Sequence, residues 1–257
     1  MSATTGTRAV RPGLSVVIPA YNETACLGAT LEHLRAACAR LAGRGGPQAE
    51  IIVVDNGSTD GTATLAAQLG ARVVSEAVRN IARVRNTGAR ASRGETIVFV
   101  DADTLIPPET LSRIEEEMRD PGCAGGAPDL RYRPRRRVMR WYLEGWRWFA
   151  TLGGMVTGAM AMGATQFCRR DIFDELAGYD ETIFMGEDLD FFWRLQKLAR
   201  RRGLRVAIIR DVTVCPSSRR FDQWPLWRIL VWTNPFFLLA LRRRRMAWTG
   251  WLAKPVR

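Results

Sequence analysis

The sequence predicts an α/β fold with a mostly parallel sheet covered by helices on both faces. Three observations carry this. Short runs rich in β-branched residues recur at Leu14 to Pro19 (LSVVIP), Glu50 to Val54 (EIIVV), Ala71 to Ser75 and Thr96 to Val100 (TIVFV). Segments with helical spacing alternate with them. Polar clusters directly follow three of the runs, after Pro19, Val54 and Val100. Strands that are apolar on both sides of the pleat need cover on both faces. Ligands of such sheets bind beyond the carboxyl ends of the strands.

The elements follow in order. Residues 1–13 read as a flexible N-terminus. Glu23 to Ala42 has helical spacing, and Gly43 to Gln48 is a turn-rich break. Thr62 to Leu69 and Ile81 to Ala91 read as helices between the second, third and fourth strands. Pro107 to Met118 is a further helix. Residues 129–137 form a basic, proline-containing loop, and Val138 to Ala150 is a helix rich in Trp and Arg. Gly153 to Phe167 is rich in small residues and Met. Glu187 to Arg201 reads as a helix and Arg205 to Ile209 as a strand. The main domain is expected over 14–220, with halves at 14–104 and 105–220. An aromatic and basic segment, 221–257, follows.

Composition narrows the class. The chain has 257 residues, 47% hydrophobic and 25% charged, which suits a globular domain and not a disordered one. Its net charge of +12 is mostly arginine, whose planar fork suits phosphates and anionic surfaces. Five cysteines, Cys26, Cys38, Cys123, Cys168 and Cys215, form no CxxC pair, so a reducing compartment fits better than a disulfide framework. The N-terminal residues lack the apolar core of a signal peptide. The longest apolar stretch, Pro225 to Leu241, is broken by Arg228 and by Asn234-Pro235, so a spanning helix is not expected. Together these point to a cytoplasmic location.

Chemistry concentrates in the polar clusters. Asp101-Ala102-Asp103 follows the TIVFV strand. Two carboxylates one residue apart at a strand end can bind a hard divalent cation, Mg2+ or Mn2+, and leave positions open for phosphate oxygens. A solvated acidic turn would give the same triplet. Asp55-Asn56-Gly57-Ser58-Thr59-Asp60-Gly61-Thr62 follows EIIVV. Asp55 and Asn56 can hydrogen-bond a base or ribose, while Ser58 or Asp60 is expected to cap the next helix. Pro19-Ala20-Tyr21-Asn22-Glu23 follows the first strand, with Asn22 as an expected cap.

In combination these clusters resemble glycosyltransferase family 2. The resemblance lies in VVIPAYNE (16–23), IIVVDNGSTDGT (51–62), RVRNTGARAS (83–92), VFVDADT (98–104) and GYDETIFMGEDLDFFWRL (178–195). Five blocks in order over about residues 14–220 are far more specific than any one. The resemblance implies a GT-A fold with a Rossmann-like nucleotide-binding sheet and inversion at the anomeric carbon. It implies a nucleotide-sugar donor, with a UDP-sugar preferred. It places Pro19, Tyr21, Glu23 and Asp55 in the nucleoside pocket, Asp101 and Asp103 at the metal, and Arg85 near the pyrophosphate. Asn86 and Gly88 match the helix beneath it. One form of the family has aspartate where this chain has Asn56.

The resemblance also implies that Glu187-Asp188 stands near the acceptor hydroxyl, with Asp188 as general base. An inverting displacement needs a carboxylate opposite the leaving diphosphate to take the acceptor proton. Glu187 and Asp190 are expected to raise the basicity of Asp188. Acids at a helix start also complement its dipole, and Asp190 is expected to pair with Arg194. Arg219 and Arg220 are candidates to hold phosphate. The QxxRW motif of processive relatives is absent, which favours transfer of a single sugar. Trp141, Trp146 and Trp148 beside Arg140 and Arg147, and Trp224, Trp227, Trp232, Phe236 and Phe237 before Arg242 to Arg245, suit peripheral contact with an anionic membrane and a lipid-linked acceptor. Competing readings are a nucleotidyltransferase, which would show a glycine-rich basic loop after the first strand, and a non-catalytic nucleotide-sugar-binding or membrane-surface protein. Nucleic acid is not expected as a partner, since no recognition motif is present.

Overall fold

The structure is a computed structural model that describes residues 13–145, 148, 163–232 and 242–244. Within them an eight-stranded sheet runs in the order β3-β2-β1-β4-β7-β6-β8-β5. Its strands are β1 (Leu14–Ala20), β2 (Ala49–Asp55), β3 (Arg72–Ser75), β4 (Thr96–Val100), β5 (Thr104–Leu105), β6 (Cys123–Leu130), β7 (Thr165–Arg169) and β8 (Arg205–Pro216). The helices are α1 (Thr24–Gly43), α2 (Thr62–Gln68), α3 (Ile81–Ala91) and α4 (Thr110–Met118). They continue as α5 (residues 137–145), α6 (Arg170–Glu175), α7 (Glu187–Arg201), α8 (Arg219–Gln223) and α9 (Leu226–Trp232).

The first half matches the expected alternation. β1 pairs in parallel with β2 and β4, and β2 with β3. β1 is buried along its whole length, and its side chains alternate between two cores. Val16 and Ile18 face Leu27, Leu31, Leu34 and Leu41 of α1 and Leu111 and Ile114 of α4. Val17, with Val54 and Phe99, faces α3 and the Phe191, Phe192 and Leu195 stripe of α7. Both faces are thus covered, as strands of this composition require.

The second half differs from expectation. The sheet is mixed, because β7 runs antiparallel to both β4 and β6. β5, β6, β7 and α6 were not predicted. The strand expected at 205–209 extends to Pro216 through an irregularity that re-registers it on β6 between Pro128↔Ile209 and Asp129↔Thr213. This extension carries the chain to the end of β4, where Ser217 N–H donates to the Asp103 carbonyl at 3.0 Å. β3 is an edge strand with Arg72 and Ser75 exposed, not a buried one. The predicted helix from Pro107 begins at Thr110, with Pro107 O accepting from its N–H. Of the expected helix at 138–150, residues 146–147 and 149–150 lie outside the described residues. So do 151–162 of the small-residue segment and most of 233–257.

Helix α3 lies against the sheet at Gly88. A Cβ there would stand 2.3 Å from Val17 Cγ1 and 2.7 Å from Val54 Cγ2. Both valines are wholly buried in β1 and β2, so neither has room to withdraw. The structure therefore supplies the close-packing reason for this glycine. Gly88→Ala is expected to lower stability by about 1–3 kcal/mol, as overpacking does. Urea denaturation checks this, and an unchanged midpoint would contradict the packing argument.

Candidate functional site

The loops after β1 and β2 are stitched to each other. Asn22 N–H donates to Ser58 Oγ at 3.0 Å, and Thr59 N–H donates to Asn22 Oδ1 at 2.8 Å. Thr24 N–H reaches Asp60 Oδ2 at 3.2 Å, and Glu23 N–H reaches Thr62 Oγ1 at 2.9 Å. These bonds correct the capping expectations. The N-cap of α2 is Gly61 at φ 86°, and that of α1 is Glu23, neither with a side-chain cap bond. Asp60 does accept from Thr62 N–H, but Ser58 and Asn22 serve the neighbouring loop. Asn22 itself sits at φ 53°, a left-handed conformation that asparagine tolerates.

The expected nucleoside corner is laid out at this seam. Pro19 is a buried β1 residue opposite Val54. Asp55 is nearly buried, and its carboxylate accepts from Ser58 N–H at 3.2 Å. Asn56 is wholly buried, and its amide nitrogen donates to the carbonyls of Glu76 at 2.6 Å and Val78 at 2.9 Å. That amide therefore ties β2 to the segment after β3 instead of offering its N–H groups to a base. Tyr21 lies under Arg79, whose guanidinium carbon is 3.3 Å from the ring centroid. Arg79 also donates to Gly57 O at 3.1 Å, while its buried Nη1 has no partner among the described residues. Sequence reasoning missed Arg79. Its only signal was a basic residue just before Asn80, which caps α3 by accepting from Arg83 N–H.

The metal and acceptor clusters meet around one arginine. Arg85 Nη2 donates to Asp101 Oδ1 at 2.8 Å, and Nη1 donates to Glu187 Oε1. The arginine is buried, with its guanidinium 5.4 Å from the Tyr179 ring centroid. Arg85, expected near a pyrophosphate, joins the end of β4 to the start of α7. Burial disfavours its charge, and Asp101 and Glu187 more than offset this, holding its pKa above that of ordinary arginine. Desolvation pushes Asp101 up to about 6, against the pull of Arg85 and with a further push from Asp103. Burial likewise raises Glu187, opposed by Arg85.

A second arginine sits on the other aspartate. Arg219 Nη2 donates to Asp103 Oδ2 at 3.0 Å and to Glu23 Oε2 at 2.7 Å. Glu23, expected in the nucleoside pocket, thus lies beside the Asp103 carboxylate, and burial raises its pKa while Arg219 lowers it. Arg220 is exposed one residue further on. Asp188 is half-buried, with Oδ1 accepting from Leu189 N–H at 2.8 Å. A Cβ at Gly163 would stand 2.6 Å from Asp188 Oδ2, so this glycine lies directly against the carboxylate. Asp190 pairs with Arg194 at 2.8 Å, as expected. Glu187, the other residue of the acidic pair, is buried against Arg85, and burial raises its pKa while the ion pair opposes the rise.

Among the described residues no three His, Cys, Asp or Glu side chains converge as a metal site. Asp101 and Asp103 nevertheless supply two hard oxygen donors, and Asp103 and Asp188 both raise Asp101. A divalent cation relieves such repulsion, with phosphate oxygens and water completing its shell, so the donor set fits.

A family model described as Glycosyl transferase family 2 matches residues 15–177. The match ends before Glu187 and Asp188. Undecaprenyl-phosphate 4-deoxy-4-formamido-L-arabinose transferase of Pseudomonas aeruginosa is 40% identical over 111 residues, 40% of this chain and 31% of that protein. The enzyme of the same name from Edwardsiella ictaluri is 34% identical over 111 residues, 40% of this chain and 33% of that protein. The alignments thus span about a third of the length of these curated relatives. Among solved structures, a mannosyltransferase from Pyrobaculum calidifontis in complex with GDP-Man and Mn2+ superposes with TM-score 0.59 at 23% identity. That match covers 80% of this chain and 57% of the other. Glucosyl-3-phosphoglycerate synthase from Mycobacterium tuberculosis, in complex with Mn2+, UDP and phosphoglyceric acid, gives TM-score 0.59 at 22% identity, covering 90% and 78%. These likenesses show the GT-A fold.

The position of Asn56 gives a test. Aspartate there would set a carboxylate against two carbonyl oxygens in a buried place. Asn56→Asp is expected to cost about 1–3 kcal/mol of stability, the penalty of unmade buried hydrogen bonds. Thermal denaturation measures it. A variant as stable as the parent would mean that the amide does not hold this seam.

Proposed function

The chain belongs to glycosyl transferase family 2, and on that premise we propose that it moves a single sugar from a nucleotide-sugar donor to an acceptor hydroxyl, with inversion at the anomeric carbon. The observation that carries this reading is the bridge from Asp101 to Glu187 through Arg85, which draws the carboxylates after β4 and the acidic start of α7 into one cluster. Tyr21, Asp55 and Arg79 would hold the nucleoside, with Arg79 stacked on the Tyr21 ring. Asp101 and Asp103 would hold Mg2+ or Mn2+, and the bound cation would offset charge on the departing diphosphate. Arg219 would contribute from the same side, exchanging Asp103 for a phosphate oxygen. Asp188 would take the acceptor proton at its carboxylate as the hydroxyl attacks.

Acceptor chemistry bears directly on Asp188. The names of the curated relatives specify undecaprenyl phosphate. A phosphate oxygen is already ionised and needs no base, whereas a hydroxyl does. A lipid-linked hydroxyl acceptor at an anionic membrane is the reading that keeps a role for Asp188. Exposed apolar residues support the membrane part. Val138 and Trp141 stand out from α5, Trp148 is also exposed, and Leu226, Trp227 and Leu230 stand out from α9. The segments that lead into these two helices are neighbours. Asp222 Oδ1 accepts from Arg135 N–H at 2.8 Å, and the Tyr132 and Phe221 rings lie 4.9 Å apart. Arg135, Arg137 and Arg140 lie along the same stretch, and such Trp and Arg mixtures suit an anionic interface. No helix among the described residues is long and apolar enough to cross a membrane. The proposal is peripheral contact on the cytoplasmic face.

Two variants separate the roles. Asp103→Ala is expected to abolish transfer and remove the cation dependence of donor binding, read by calorimetry. Asp188→Asn is expected to retain donor and cation affinity while losing about 100- to 10,000-fold in transfer rate, the usual share of general-base help. An Asp188→Asn enzyme working at the parent rate would show that the acceptor oxygen needs no base, as a phosphate would not. Cosedimentation tests the membrane face. The parent is expected to bind anionic vesicles more than neutral ones and to be only partly released by high salt, since Trp burial is not screened. Trp141→Ala/Trp227→Ala is expected to lose most of that binding. A parent protein that stays in the supernatant would favour a soluble acceptor.

A further inference from the structure

We propose that Arg85 is a positioning residue that sets the distance between the carboxylates after β4 and the general base on α7, and that it does not contact the donor. The inference rests on the glycosyltransferase reading above and assigns Arg85 a role different from the pyrophosphate contact that sequence resemblance implies.

Its geometry is that of a strut. Both terminal nitrogens are engaged, Nη2 with Asp101 and Nη1 with Glu187, and the side chain is 3% exposed. A guanidinium fork spanning two separate carboxylates fixes their separation, because its nitrogens are rigidly related. Glu187 opens α7 directly after Gly186, which has φ 74°, and Asp188 is the next residue. Holding Glu187 therefore holds the backbone from which Asp188 projects. A second line of contacts closes the frame. Tyr179, beneath Arg85, donates its hydroxyl to Gln166 Oε1 at 3.1 Å, and Gln166 Nε2 donates to Asp188 O at 3.0 Å. Asn86, the residue after Arg85, both donates to Tyr179 O at 2.9 Å and accepts from Tyr179 N–H at 2.8 Å. On the other side, Asp101 N–H is anchored to Ala164 O at 3.1 Å. The Arg85-Asn86 pair thus ties α3, the end of β4 and the start of α7 into one rigid body.

A counter-charge alone would explain the burial of Glu187 but would need no fork. The experiment separates the two. Arg85→Lys keeps the charge and loses the fork. Arg85→Met/Glu187→Gln removes both charges and the strut together, relieving the unpaired buried carboxylate that Arg85→Met alone would leave. The readouts are melting temperature, Mn2+ affinity by titration of the donor-free protein, and the separate kcat and donor KM. Arg85→Met is expected to melt lower, and the double variant to regain most of that loss. The lysine and double variants are expected to bind Mn2+ about 10- to 100-fold more weakly, as loss of a ligand's supporting partner does. Their kcat is expected to fall about 100-fold, the effect of small misplacement, with donor KM nearly unchanged. If the double variant, or the lysine variant, keeps kcat and Mn2+ affinity near the parent's, Arg85 is only a counter-charge and the proposal fails. A raised donor KM with unchanged kcat would return Arg85 to the donor and also overturn it. A parent protein without transfer activity would instead sink the functional reading on which the inference stands.

Discussion

Parallel pairing of β1 with β2 and β4 governs where polar chemistry can occur in this molecule. Within those strands nearly every side chain lies in one of two cores, so a carboxylate placed there would be desolvated without a partner. Polar residues are pushed to the strand ends. The register Ala20↔Asp55 brings the loops after β1 and β2 side by side, and β4 ends beside them at Asp101. The site is thus a consequence of burial on both faces. The crossed bonds among Asn22, Ser58, Thr59 and Asp60 then hold the two loops in one conformation without a packed core of their own.

The same burial explains which elements the sequence revealed. β1 and β4 are apolar on both faces, and α7 shows its Phe191, Phe192, Leu195 and Ala199 stripe, so local pattern and final environment agree. β6 (CAGGAPDL) is nearly as buried, but its small residues and proline carry no strand pattern. Gly126 has its reason only in the assembled sheet, since a Cβ there would stand 2.0 Å from the Ala207 carbonyl oxygen. β7 (TQFCR) looks polar because Gln166 faces the site and Arg169 donates to the Cys123 carbonyl at 2.7 Å. β5 has two residues and exists because β8 returns to pair with it. Non-local partners decide each of these cases, and a periodicity argument does not contain them.

For the site, residue type was legible and partnership was not. Asp101, Asp103 and Asp188 stand at element ends, where spacing put them. What spacing could not show is that Asn56 turns its amide to two backbone carbonyls, that Glu23 meets Asp103 through Arg219, or that Glu187 is already paired. Sequence separations of 196 residues for Glu23 with Arg219 and 102 for Arg85 with Glu187 make the point. Both contacts depend on how β7 and β8 fold back onto the first half. Residue type alone gives two adjacent acids at 187–188, whereas burial and Arg85 set Glu187 in surroundings different from those of half-buried Asp188.

Two arginines neutralise the two aspartates after β4, and their difference in burial separates a fixed part from a movable one. Arg85 is 3% exposed and hydrogen-bonded at both ends of its fork, so displacing it would leave Glu187 charged and desolvated. Arg219 is 22% exposed and stands at the start of a five-residue helix with no buried residues. Its pairs with Asp103 and Glu23 are more exposed than the pair of Arg85 with Glu187, so they cost less to exchange. Donor and cation could therefore replace Arg219 at Asp103 while leaving Asp101 and α7 in place. A chain of net charge +12 gathers four acids, Asp101, Asp103, Glu187 and Asp188, at one point, and the two arginines offset their mutual repulsion.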